Sequence, residues 1–226
     1  MEIKYYGHSS LEIIVNGKHI LVDPFISSNP KASSIDINTL KADYIILTHA
    51  HYDHIMDVEA IVNRTKAKII SNHEIVTFYD VNNKYEGHAM NQGGSWDFDF
   101  GRLKAVTAIH SSSFPDGTYG GNPLGFILNA EGKTIYIAGD TALTFDMKLI
   151  PMFNKLDLAI LPIGGNFTMD VDEAIVASDF IECNRILGVH YDTAPFIEID
   201  HQKSKDAFTA KNKELILVKI GDSITV

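Results

Sequence analysis

The chain has 226 residues, 45% of them hydrophobic, enough to fill a substantial core and too many for a disordered or fibrous chain. A formal net charge of −10 counts against a general nucleic-acid binder, since an acidic surface repels phosphate and no Lys/Arg run exceeds two residues. No stretch approaches the roughly 20 apolar residues of a membrane span, and MEIKYYGHSS lacks the basic head and apolar block of a secretory leader, so a cytoplasmic protein without a membrane partner is expected.

In chain order, LEIIV, Asn16-Gly17 and KHILVD predict a tight hairpin, because Asn-Gly tolerates the positive φ angles of a type I′ turn. YIIL (44–47), KII (68–70), KAVTAI (104–109), LGFIL (124–128), TIYIA (134–138), LAIL (158–161), RILGV (185–189) and LILVKI (215–220) are of strand length. Helical spacing covers 55–65, 74–81, 171–182 and about 201–211, and Asp170 followed by Glu173 has the form of a capping box. Residues 87–99 and 111–123, rich in Gly, Ser, Asn and Pro, read as loops. The lone cysteine, Cys183, excludes an internal disulfide and reads as core filler on a helix, so any metal must be held by nitrogen and oxygen. Strands followed by helices in each half suit two sheets face to face with helices outside, a four-layered αβ/βα sandwich of the α/β class.

Leu47 to Asp57, LTHAHYDHIMD, packs three histidines and two aspartates into eleven residues after an apolar run. His49 follows YIILT, His110 follows KAVTAI, Asp140 follows TIYIAG and His190 follows RILGV. Strand ends on one edge of an α/β sheet feed loops into one crevice, so these four belong to a shared site. His49 and His51, two apart on an extended loop, can direct imidazoles to one cation, while Asp53 and His54, at the turn into the helix beginning at Ile55, point elsewhere and can serve a second. Two cations roughly 3.5 to 4 Å apart form a hydrolytic site, with Asp140 as the natural bridging carboxylate. Collecting these imidazoles and carboxylates without metal would leave polar groups unpaired.

THAHYDH (48–54) resembles the signature of the metallo-beta-lactamase superfamily, and the resemblance runs through Asp23-Pro24, His110, the GDT at 139–141 and His190. YYGHSS, the HSS at 110–112, GNPLGF, LPIGGNFTMD and HYDTAP are similar to the small metal-dependent hydrolases related to L-ascorbate-6-phosphate lactonase. The resemblance implies a single domain over 1–226. It gives His49, His51 and His110 to a first metal and Asp53, His54 and His190 to a second, with Asp140 between them; the two divalent ions are zinc, manganese or iron. It also implies that Asp53 orients the nucleophile or passes a proton, and that Asp23 orients a ligand histidine. His8, on the branch motif GHSS, is placed near the pocket. Gly164 and Gly165, after LAILPI, let backbone approach the substrate. His51 stands where oxygen-reducing relatives carry Glu, which favours hydrolysis over redox chemistry.

Three readings follow: a dinuclear hydrolase of a small ester, lactone or phosphodiester; a nucleotide phosphodiesterase or nuclease, which the acidic composition disfavours; and, last, a noncatalytic metal-binding module, which the intact ligand set disfavours. Exposed strand edges allow a homo-oligomer.

Overall fold

Asn16 and Gly17 both take positive φ, 49° and 72°, and the hairpin they close pairs Val15 with Lys18, as the sequence predicts. The computed structural model describes residues 1–83 and 85–226, with only the backbone of residues 82 and 83. β1 (Glu2–Gly7), β2 (Ser10–Val15), β3 (Lys18–Val22), β4 (Tyr44–Ile46), β5 (Lys68–Asn72) and β6 (Gly87–Met90) belong to one sheet. β7 (Ser95–Phe98), β8 (Gly101–Thr107), β9 (Leu124–Ala130), β10 (Lys133–Ile137), β11 (Leu158–Pro162), β12 (Arg185–Val189) and β13 (Glu214–Ile216) form the other. The last strand, β14 (Ser223–Thr225), returns to the first sheet and pairs antiparallel with β1. The spatial orders are β14-β1-β2-β3-β4-β5-β6 and β13-β12-β11-β10-β9-β8-β7.

The central strands are apolar on both faces because both are covered. In β4, Ile46 enters the layer between the sheets with Ile13, Phe100, Phe126 and Ile160. Its neighbour Ile45 faces outward, with Ile61, Ile69, Ile75 and Tyr79, under α2 (Val58–Thr65) and α3 (His73–Asn83). On the second sheet Tyr136, Ala159 and Leu161 meet Ala174, Ala177 and Phe208 of α4 (Val171–Phe180) and α5 (His201–Thr209). These are the four layers of the expected sandwich. Asp170 caps α4, accepting from the Glu173 N–H at 2.9 Å while the Glu173 side chain reaches back.

Several expectations need correction. Residues 87–99 hold β6 and β7 as well as a loop: these are edge strands, half exposed, so their polar composition does not count against pairing. LILVKI is a strand only to Ile216, after which the chain crosses to the first sheet. The helix expected over 55–65 is two: α1 (Tyr52–Ile55), which contains Asp53 and His54, then α2 after a break at Met56 and Asp57. The break is functional packing, because the Asp57 carboxylate accepts the N–H groups of Ile26 (2.6 Å) and Ser27 (2.9 Å) and pins the loop after Asp23. Cys183 is buried but lies beyond the end of α4.

Candidate metal centre

β3 and β4 are parallel, and β1 is two antiparallel steps from β3, so all three point to one edge. β8 stands in the same relation to β10, which runs parallel to β11 and β12. The segments leaving these strands therefore emerge together: His8, Asp23 and His49 from the first sheet, His110, Asp140, Gly164 and His190 from the second. The two sets of loops are stitched to each other. Leu124 N–H donates to the Thr48 carbonyl (2.9 Å), and Ser112 Oγ accepts from Ala50 N–H (3.1 Å) while donating to the Gly120 carbonyl (2.9 Å). A Cβ on Gly120 would stand 2.4 Å from that of Ala50, so only glycine lets the loops close.

Among the described residues the ligand-type atoms gather within 4.8 Å in three groups: His49, His51 and His110; Asp53, His54, His190 and His8; and Asp23 with His49 and His54, which lies behind the other two. Asp140 Oδ2 stands between the first two, 3.9 Å from His49 Nε2 and 3.7 Å from His110 Nε2, against 3.3 Å from His54 Nε2 and 3.0 Å from His190 Nε2. His49 Nε2 and His51 Nδ1 approach to 3.0 Å, close to the roughly 3.3 Å between two nitrogens that share one tetrahedral ion. His54 Nε2 and Asp140 Oδ1 are buried without a hydrogen-bond partner among the described residues. Nitrogen and oxygen lone pairs gathered on one small volume, with buried atoms left unsatisfied, fit divalent cations.

Buried carboxylates and hydroxyls fix how the rings face. Asp23, 1% exposed, accepts from the Thr48 N–H (2.8 Å), the Thr48 hydroxyl (2.7 Å) and His54 Nδ1 (2.9 Å). With its proton given to Asp23, the Thr48 oxygen accepts from His49 Nδ1 at 2.9 Å. Both His49 and His54 thus carry a proton on Nδ1 and turn Nε2 inward, where a bound cation would take the place of any proton on that atom. His8 Nε2 meets Asp53 Oδ2 at 3.0 Å and its Nδ1 meets the Thr193 hydroxyl at 2.9 Å. His8, Asp23 and His190 all have φ near +50°, an unfavourable backbone region for side-chain-bearing residues that the surrounding contacts must hold in place.

Burial disfavours the imidazolium at His49, His51 and His110, so these are neutral donors at pH 7. Burial likewise pushes His8 down to about 4. His54 runs the other way: burial opposes its charge, but Asp140 and Asp23 together hold its pKa well above the usual histidine range. Burial would raise the Asp53 carboxyl, yet the His8 hydrogen bond and the charge of His54 keep it well below the usual carboxylate range. Asp140 is held down against burial by His190 and His54.

All seven residues expected as ligands come together here, and His8 joins the second group. Asp23 lies behind His49 and His54. Gly164 does not line the groups: a Cβ on it would lie 2.2 Å from the His190 carbonyl oxygen, so it backs His190. Gly165, φ +70°, turns the loop with its N–H on the Met169 carbonyl at 3.0 Å. Thr48 and Thr193 escaped the sequence reading, although each sits within three residues of a ligand histidine and carries a short polar side chain suited to hold a ring.

The sequence pattern of the beta-lactamase superfamily domain matches residues 2–190. A UPF0173 metal-dependent hydrolase of Flavobacterium johnsoniae is 65% identical over 224 residues, covering 99% of each chain, and one of Christiangramia forsetii is 59% identical with the same coverage. Igni18, a metallo hydrolase of the archaeon Ignicoccus hospitalis, superposes with a TM-score of 0.88 at 33% identity, covering 100% of this chain and 97% of its own. Sheet order, site and relatives agree: the chain belongs to the metallo-beta-lactamase superfamily, among its UPF0173 metal-dependent hydrolases.

Proposed function

We propose that the chain hydrolyses a small ester, lactone or phosphodiester at two divalent cations, zinc, manganese or iron. His49, His51 and His110 hold one, Asp53, His54 and His190 the other, and Asp140 is shared. The observation that carries this reading is the position of Asp140 Oδ2, within 3.0 to 3.9 Å of histidine nitrogens from both groups. When bound, the cations supply Lewis acidity, lowering the pKa of a water toward neutrality and polarising the oxygen of the scissile group. Asp53 is ionised, and with 38% of its side chain exposed it would orient the attacking water, or take that water's proton and pass it on to the leaving group. The His8 contact keeps Asp53 from turning away. Among the described residues no helix is long and apolar enough to cross a membrane, and the net charge of −10 favours a small substrate over a nucleic-acid polymer.

The test pairs metal analysis with turnover of bis(p-nitrophenyl) phosphate, a nitrophenyl ester and a simple lactone, using His110→Ala as control. Two equivalents of metal and a rate that the substitution abolishes are expected. One equivalent at full occupancy overturns the shared centre, and no turnover of any of the three by fully loaded protein overturns this substrate class.

A further inference from the structure

His8 has a second face. Its Nδ1 partner Thr193 and His8 itself line a cavity of about 440 Å³ that none of the other residues of the metal centre borders. Lys31, Lys205 and Lys219 reach this cavity from three separate places, a short turn after Asn29, helix α5, and the crossover between β13 and β14. Among the described residues none of the three side chains has an ion pair or hydrogen bond, although the chain as a whole carries ten more acids than bases. The one carboxylate on the lining, Asp192, is occupied: it accepts from His201 Nε2 at 2.6 Å and from the Ile199 N–H at 3.1 Å. The local charge is thus positive on an acidic molecule.

Asn29, also on the lining, holds the turn that carries Lys31. It is 2% exposed, and its Oδ1 accepts the Lys31 N–H at 3.0 Å, which fixes the amide's orientation. Its Nδ2 then has no acceptor among the described residues. That atom packs against Gly7, where a Cβ would stand 2.6 Å from it. What the cavity offers a ligand is therefore the charge of three lysines without a protein partner, and an anion is the group that completes it.

We propose that this cavity binds a small organic phosphate, its dianionic head among the lysines and its body against the stacked rings of Tyr5 and Tyr191. The volume lies within the range of about 300 to 1,000 Å³ seen for small-ligand pockets. Because His8 and Thr193 are shared between cavity and metal centre, the phosphate belongs either to the far arm of the substrate or to a separate effector.

The test titrates inorganic phosphate into the full-length, metal-loaded protein by calorimetry and compares Lys31→Gln/Lys219→Gln with Lys155→Gln, a surface lysine elsewhere. Phosphate on the metals is common to all three proteins, so the difference between them reports the cavity. The double variant is expected to weaken binding about tenfold or more with an unchanged melting temperature, and Lys155→Gln to leave it alone. Equal affinity in all three, or no binding to the wild type at millimolar phosphate, overturns the proposal. No step of this comparison needs turnover, so it stands or falls apart from the hydrolytic reading. Phosphate that competes with a nitrophenyl ester, and stops competing in the double variant, marks a substrate arm; phosphate that alters kcat without competing marks an effector.

Discussion

Asp23 organises much of the centre, since three protons of two residues converge on its carboxylate. Asp23→Ala leaves a backbone N–H, a hydroxyl and an imidazole unpaired in a buried site, each costing about 1 to 3 kcal/mol. We expect a loss on the order of 3 to 5 kcal/mol in urea unfolding and a fall in bound metal, with Asp23→Asn intermediate. His8 gives a pH prediction. Its folded pKa of about 4 lies below the roughly 6.5 of an unfolded histidine, so the unfolded chain takes up its proton first as pH falls. His8 therefore withdraws stability between about pH 6.5 and 4. His54 has the opposite sign, its contribution full below 6.5 and lost as pH rises through its raised value. In chelator-treated protein, the wild type is expected to lose more stability than His8→Gln between pH 7 and 5. Parallel losses in denaturant titrations at the two pH values contradict this.

Gly164 carries its constraint at the level of elements, because β11 and β12 are adjacent parallel strands whose outgoing turns must nest. Gly164→Ala drives a methyl into the His190 carbonyl and pushes that turn outward. If the proposed pair of cations is bound, the expected result is a folded protein whose metal is weakened at the Asp53, His54 and His190 group and intact at the other, read as a stoichiometry falling from two toward one on dialysis against weak chelator. Retention of both metals would show that the turn yields elsewhere. The elements differ in how legible they were. The central strands and the Asn16-Gly17 turn were plain, since burial on both faces writes unbroken apolar runs and the turn has one cheap solution. β6, β7 and β14 were missed because an edge strand satisfies half its backbone with water and needs no apolar pattern. The residues gathered at the candidate site were legible as well: His49, His110, Asp140 and His190 each stand one to three residues past a strand, and His51, Asp53 and His54 follow His49 directly. Thr48 and Thr193 were not, because their work depends on hydroxyl contacts that spacing does not encode.

Each of the two proposed ligand groups takes residues from both sheets: His49 and His51 with His110, Asp53 and His54 with His190. A cation held this way ties one half of the sandwich to the other and binds the folded state alone. Its removal should lower stability by roughly 4 kcal/mol where free metal stands at a thousand times its Kd, and a melting curve before and after chelation measures it; an unchanged Tm would mean that the halves dock without help. The four layers were readable from the order of strands and helices, but the crossing of the chain from β13 to β14 was not, since nothing local marks a change of sheet. That crossing has a consequence for the order of folding. β1 takes its outer neighbour from Ser223–Thr225, and the entropy of closing a loop grows with its length, so this pair is expected to form after the local hairpin of β2 and β3, and β1 keeps a bare edge until it does.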